Sequence, residues 1–342
     1  MPPIKIKPSI AIPLFSLIVV ALFFYIRVVN AEKMNVYYRV TMDTSVELRF
    51  SSNSSVDPDV IKEAVFDEIK RMENIFSRSI EESEISRINR MAGVSPVAVS
   101  PEMLAVLEMA LQFTELTGGA FNPAIAPVID AWGFFSQVYK IPSGSDLKNT
   151  LEVSDYRNVE IDYEQSTVFL SEKGMALELG GIAKGFIIDQ AMAVLNNYGV
   201  EHAFINAGGD ILLKGTKTDG SLWKIGVRNP REEEKIIAVF HVSEGAVVTS
   251  GDYERFFEEG GKRYHHILDP LTGYPAGELA SVTVLAPSAV IADTLSTAIF
   301  ILGPVQGINL VESLPEVEAL LITPGLEIIQ SGGLHDNVEV QF

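Results

Sequence analysis

Apolar residues recur every three or four positions in DPDVIKEAVFDEIKRMENIF, residues 57–76, which is the period of a helix with one buried face. Asp57 and Pro58 mark its start. SPEMLAVLEMALQFTELTGG, residues 100–119, predicts a second helix between a Ser-Pro opening and a Gly-Gly close. KGFIIDQAMAVLNNYGV, residues 184–200, predicts a third, ended near Gly199. Elsewhere the apolar runs are shorter. YYRVTMDTSVELRF (37–50) reads as strand and NVEIDYEQSTVFLS (158–171) as a hairpin. HAFINAGGDILLKG, LWKIGVRNP, KIIAVFHVS and GAVVTSG, between residues 202 and 251, read as further strands. SVTVLAPSAVIADTLSTAIFILG (281–303) predicts a strand, a turn and a helix, and ALLITPGLEIIQSGGL (319–334) a final hairpin-like pair. Short connections between neighbouring strands predict antiparallel pairing. The helices are interspersed without strict alternation, so the expected fold is mixed α+β, not a doubly wound parallel sheet.

The first 33 residues stand apart. Lys5 and Lys7 precede an uncharged stretch from Pro8 to Ile26, and Arg27 follows. That stretch is just long enough to span a bilayer. It reads as an N-terminal membrane anchor, with VVNA before Glu32 keeping a cleaved signal peptide open as the other reading. Either one exports the rest, with positive charge kept inside. The expected location is a cytoplasmic-membrane anchor with the folded part outside the cytoplasm, in the periplasm. No Pro/Ser-rich linker divides residues 34–342, which are read as one domain.

Of 342 residues, 47% are hydrophobic, enough for a sizeable core. The net charge of −19 argues against a nucleic-acid binder, which would show a basic face, though a single basic cleft could still lie inside an acidic shell, so no nucleic-acid partner is expected. The absence of cysteine excludes a disulfide scaffold, a thiolate metal site and a cysteine nucleophile.

The stretch ALELGGIAKGFIIDQA, residues 176–191, resembles a nucleotide loop at first sight. It meets neither common pattern. Lys184 is followed by Gly185 instead of Ser or Thr, and Gly180, Gly181 and Gly185 are spaced G-G-x-x-x-G. A tight strand-to-helix turn and a ligand loop both fit it. Asp293 and Thr297 in IADTLSTAIF share one helix face and suit a hard cation such as magnesium. A helix cap plus an ordinary surface threonine is the other reading. RYHHILDPLTGYP sets His265 and His266 before an Asp-Pro turn. On a strand they point to opposite faces, so at most one faces a site, where it could serve as general base. TGGAFNPAIAPVIDAWGF places Phe121 and Trp132 where an aromatic ligand could stack or where a packed loop would form. The glycine pair of NAGGDILLKG, beside Asp210, reads as a strand bulge or a site.

In their shared order, these segments resemble the ApbE family of FAD:protein FMN transferases over roughly residues 37–335. FSRSIEESEISRIN, TGGAFNPAIAPVIDAWGF, LELGGIAKGFIID, NAGGDILLKG, TSGDYERFFEEGGKRYHHILDPLTGYPA and SVTVLAPSAVIADTLSTAIFILG carry the likeness. The resemblance implies a T-fold-like architecture of largely antiparallel sheets with flanking helices, two lobes, and FAD held between them. It implies Mg²⁺ bound by the carbonyl of Gly181, the carboxylate of Asp293 and the hydroxyl of Thr297. It places Met42, Ser79, Ala120, Phe121, Asn122, Glu178, Lys184 and Leu268 against FAD, and makes His266 the catalytic histidine. It implies transfer of FMN from FAD to a threonine or serine hydroxyl, with AMP released. The resemblance further implies that the acceptors are flavoproteins such as subunits of membrane redox complexes. Three positions depart from the family pattern. Glu178 and Asn122 stand where Asp is usual, and Ser79 stands where many members carry a tyrosine by the flavin ring. The loss of that ring keeps FAD pyrophosphatase activity as the alternative, with a non-catalytic flavin-binding protein as a further one.

Overall fold

Among the described residues, eight strands pair side by side in the order in which they occur along the chain. Met34–Thr41, Thr44–Ser51, Ala203–Ala207, Asp210–Lys214, Gly245–Gly251, Ser281–Ala286, Glu318–Ile322 and Ile328–Gln330 form one sheet. Every neighbouring pair is antiparallel. The computed structural model describes residues 34–51, 56–334 and 338–341. The anchor and cleavage-site expectations for residues 1–33 lie outside the described residues.

Alternation along the strands sorts side chains onto two faces. Leu48, Ile205, Leu212, Val248, Val284 and Leu321 pack with the helices in the main core. Phe204, Ile211, Leu213, Val247, Leu320 and Ile322 enter a second core. There they meet a three-stranded sheet of Trp223–Asn229, Glu232–Val242 and Val338–Val340. The result is helices, sheet and small sheet in layers, the mixed α+β fold expected from the pattern.

The helical layer contains Pro58–Phe76, Ala183–Asn197 and Ala289–Glu312. Asp57 caps the first by accepting the N–H of Asp59. The last is interrupted at Gly303, whose φ of 75° is not helical, followed by Pro304. It is long and apolar enough to cross a bilayer, yet it is mostly buried inside the protein.

Some elements differ from the sequence reading. YYRVTMDTSVELRF is two strands, turned at Met42 and Asp43 with φ of 53° and 56°. NAGGDILLKG is also a tight hairpin, with φ of 63° at Gly208 and 103° at Gly209, so the bulge reading was wrong. TGGAFNPAIAPVIDAWGF contains the short helix Ala126–Trp132. The helices Glu84–Arg90 and Gly144–Glu152, and the strand pair Phe256–Glu259 with Lys262–His265, lacked a long enough period to be read.

Candidate functional site

A cleft of about 530 Å³ opens between the helix–sheet body and a smaller lobe built on Val128, Trp132, Phe134, Leu147 and Leu268. Its size suits a small-molecule ligand. The glycine loop, both ends of the Asp293–Thr297 pair, and His266 all line it.

The three glycines of the loop do different things. Gly180 and Gly181 line the cleft. Gly185 lies in the first turn of the helix Ala183–Asn197, where a side-chain carbon would come within 2.4 Å of the Ala289 carbonyl oxygen. Only glycine permits so close an approach of the two helices. A carbon built on Gly181 would lie 3.4 Å from Thr297 Oγ1, so the loop backbone runs directly against the threonine.

Asp293 does not cap its helix. Asp189, from the neighbouring helix, accepts the N–H groups of Ala289 and Val290 at 2.8 and 2.9 Å and fills that role. Asp293 is free to point into the cleft floor, where Oδ2 accepts the Gly185 N–H at 2.9 Å. Burial, and then Asp210, push its carboxyl up to about 7. Such an anion is short of positive charge. Thr297 lies one turn on, with Oγ1 3.4 Å from Ser250 Oγ. Among the described residues no group of three or more His, Cys, Asp or Glu side chains could hold a metal. One carboxylate, one hydroxyl and nearby loop carbonyls nonetheless fit a hard cation that takes few protein oxygens.

Two cleft cations are already committed. Lys184 Nζ pairs with Asp210 Oδ2 at 2.7 Å. Burial pulls its ammonium down, but Asp210 and Asp293 outweigh that and raise its pKa. Lys184 therefore sits in the first helical turn as part of a buried charge chain, and not as a free loop lysine. Arg78 joins Glu178 at 2.9 Å and Asp130 at 2.7 Å, with the Phe135 ring 4.3 Å from its guanidinium carbon. Glu178 Oε1 also accepts the Gly180 N–H at 2.9 Å, so the longer acid braces the loop from within. Arg255 lines the cleft as well. Neither Arg78 nor Arg255 stood out in the sequence. Arg78 is flanked by serines in a polar stretch, and Arg255 lies in a run of charged and aromatic residues.

The two histidines are placed apart, as their adjacency predicts. His265 is buried, holds the Ala276 carbonyl through Nε2 at 2.7 Å and packs on Phe300. His266 faces the cleft. Its Nδ1–H donates to the Arg255 carbonyl at 3.2 Å, a partner that can only accept. That bond fixes the tautomer and leaves the Nε2 lone pair open. Although part of the residue reaches the cleft, burial pushes the imidazole down to about 3, with the charges of Arg255 and His265 adding to it. Burial thus favours the neutral ring, and the Nδ1–H bond leaves Nε2 facing the cleft without a partner among the described residues.

Met42, Ser79, Ala120, Phe121, Asn122 and Leu268 also line the cleft. Met42 sits at the left-handed turn, held by its N–H to Glu73 at 3.1 Å. Asn122 does structural work. Its amide donates to the Ser154 carbonyl at 2.9 Å, and its oxygen accepts the Ala124 N–H at 2.8 Å. Trp132 is not a stacking surface. It is fully buried among Phe134, Phe257, Tyr264 and Tyr274, and its indole N–H bonds the Gly273 carbonyl at 2.7 Å.

Residues 42–321 match the ApbE family. An FAD:protein FMN transferase of Treponema pallidum is 36% identical over 306 residues, covering 85% of this chain and 84% of that protein. One of Klebsiella pneumoniae is 34% identical, covering 86% and 91%. The crystal structure of an ApbE protein from Thermotoga maritima superposes with a TM-score of 0.84 at 35% identity, covering 89% of this chain and 99% of that one. The flavin transferase ApbE of Vibrio cholerae gives 0.82 at 26% identity, covering 90% and 99%.

Proposed function

The chain belongs to the ApbE family, and from that membership we propose that it is a flavin transferase that moves FMN from FAD onto a threonine or serine hydroxyl of an acceptor protein. The observation that carries the reading is the convergence of Gly181, Asp293, Thr297 and His266 on one cleft.

His266 Nε2 takes the proton of the incoming hydroxyl. The hydroxyl oxygen forms a bond to the phosphorus on the FMN side of the pyrophosphate. The bridging P–O bond breaks and AMP leaves with that oxygen. A magnesium ion held by Asp293, Thr297 and the Gly181 carbonyl would supply positive charge against the pyrophosphate. The loop braced by Glu178 and Arg78 keeps the Gly181 backbone against Thr297. The acceptors are flavoproteins outside the cytoplasm, such as subunits of membrane redox complexes, and the N-terminal segment anchors the enzyme near them.

A second reading is FAD pyrophosphatase, in which water takes the place of the protein hydroxyl. Ser79 favours it, because this exposed serine leaves one stretch of the cleft wall small. The deciding experiment incubates the protein with FAD, magnesium and a candidate acceptor. Fluorescent acceptor on a denaturing gel, with AMP in equal amount, supports transfer. AMP and free FMN without labelled acceptor would overturn it in favour of hydrolysis.

A further inference from the structure

We propose that Arg255 is a further catalytic residue, its guanidinium binding the FMN-side phosphate of FAD next to His266. The proposal rests on the flavin-transfer reading. Among the described residues, three lysine or arginine side chains line the cleft: Arg78, Lys184 and Arg255. Arg78 is ion-paired to Asp130 and Glu178, and Lys184 to Asp210. Arg255 makes no ion pair among the described residues, and it is exposed to the cleft.

The cleft wall is otherwise acidic, with Asp43, Glu73, Glu178, Asp210, Glu254 and Asp293. A pyrophosphate entering such a wall meets repulsion unless an uncommitted positive charge faces it. Arg255 is that charge within the protein. The backbone fixes where it acts. The Arg255 carbonyl accepts both the N–H of His266 at 3.0 Å and its ring Nδ1–H at 3.2 Å. The base and the guanidinium therefore branch from two backbone positions held side by side. The phosphate under attack must lie close to the base. A planar guanidinium is suited to grip two of its oxygens, and charge on those oxygens must be held in the transition state.

Side-chain replacement leaves the Arg255 carbonyl in place, so charge is tested without disturbing the His266 tautomer. With the full chain, FAD, FMN and riboflavin affinities are measured for wild type, Arg255→Met and Arg255→Lys, alongside transfer rates. The expected result is that Arg255→Met weakens FAD and FMN binding about tenfold or more, leaves riboflavin within about twofold, and lowers kcat about 10²-fold or more. Arg255→Lys recovers part of the binding, and added guanidinium ion partly rescues the Met variant. Equal loss of riboflavin and FAD affinity would show a merely structural residue and overturn the proposal, as would unchanged FAD affinity. A wild type that binds FAD yet labels no acceptor would count against flavin transfer, while the comparison of FAD with riboflavin would still decide the phosphate contact.

Discussion

The N–H of Gly185 donates to Asp293 Oδ2 across 2.9 Å, joining the helix that follows the glycine loop to the carboxylate on the cleft floor. The bond orients one carboxylate oxygen and leaves the other for a ligand. Asp293→Ala is expected to lose about 10³-fold in magnesium-dependent transfer, since a metal site with few protein ligands has nothing to replace its carboxylate. Thr297→Val, which removes one neutral ligand, is expected to lose about tenfold. Transfer rates against magnesium concentration, with circular dichroism as a fold control, decide it. Full activity of Asp293→Ala at low magnesium would end the metal assignment.

Replacing His266 by Ala is expected to slow transfer by about 10²- to 10⁴-fold with FAD affinity retained. His265→Ala is expected to cost stability instead, about 1–3 kcal/mol, by emptying a buried ring position and leaving the half-buried Ala276 carbonyl without its donor. Activity and melting temperature of the two variants should therefore move in opposite patterns. If His265→Ala were the slower enzyme at equal folding, the assignment would be reversed.

The same two rings set a pH dependence. Burial lowers the pKa of each below its ordinary 6.5. As pH falls through about 6.5, the unfolded chain takes up these protons before the folded one does. The stability present at pH 7 is thus lost as the solution is acidified. Between pH 7.5 and 5.5 the melting temperature of wild type should fall relative to that of His265→Gln, while proton uptake by the raised Asp293 carboxyl acts in the opposite sense in both proteins. An equal fall would remove His265 from the account.

Much of this was readable from residue pattern. Long amphipathic helices and the paired strands followed from their periods, because each buries one face. The resemblance supplied roles for residues whose chemistry alone was ambiguous, such as Asp293, where a cap was the simpler reading. The structure removes the cap by giving it to Asp189, which is 100 positions away from Ala289 and so beyond any local pattern. The same holds for the Arg78 brace, whose partners lie 52 and 100 positions away. At Trp132 both readings stood open, because an aromatic among glycines and prolines looks the same whether it lines a ligand site or closes a small core; the packed reading is the one the structure bears out.

Gly180→Ala and Gly185→Ala should separate the two kinds of glycine in the loop. At Gly185 an added carbon meets backbone atoms of Ala289 at 2.4 and 2.6 Å, which the helix can relieve only by moving. About 1–3 kcal/mol of destabilisation is expected. At Gly180 the nearest atom is a Glu178 side-chain oxygen at 3.0 Å, which can swing aside. That variant should fold nearly as well as wild type and show its defect in FAD affinity. Similar melting temperatures for the two variants would contradict the division.

Ser79→Tyr tests what decides between protein hydroxyl and water. Ser79 is exposed at the cleft, beside Arg78 and near Phe135, which lies over the guanidinium. A serine there leaves room for water and for movement of the FMN half. A tyrosine ring can stack on the isoalloxazine, worth about 0.5–1.5 kcal/mol beyond burial of its area. By holding the flavin it keeps the phosphate still for the larger nucleophile and narrows the path for water. The expected outcome is a several-fold higher ratio of acceptor-bound to free FMN in the variant, measured at equal FAD occupancy. An unchanged ratio, with measurable hydrolysis in wild type, would show that the partition is set elsewhere in the cleft. Wild type that yields acceptor-bound FMN alone would exclude the pyrophosphatase reading without the variant.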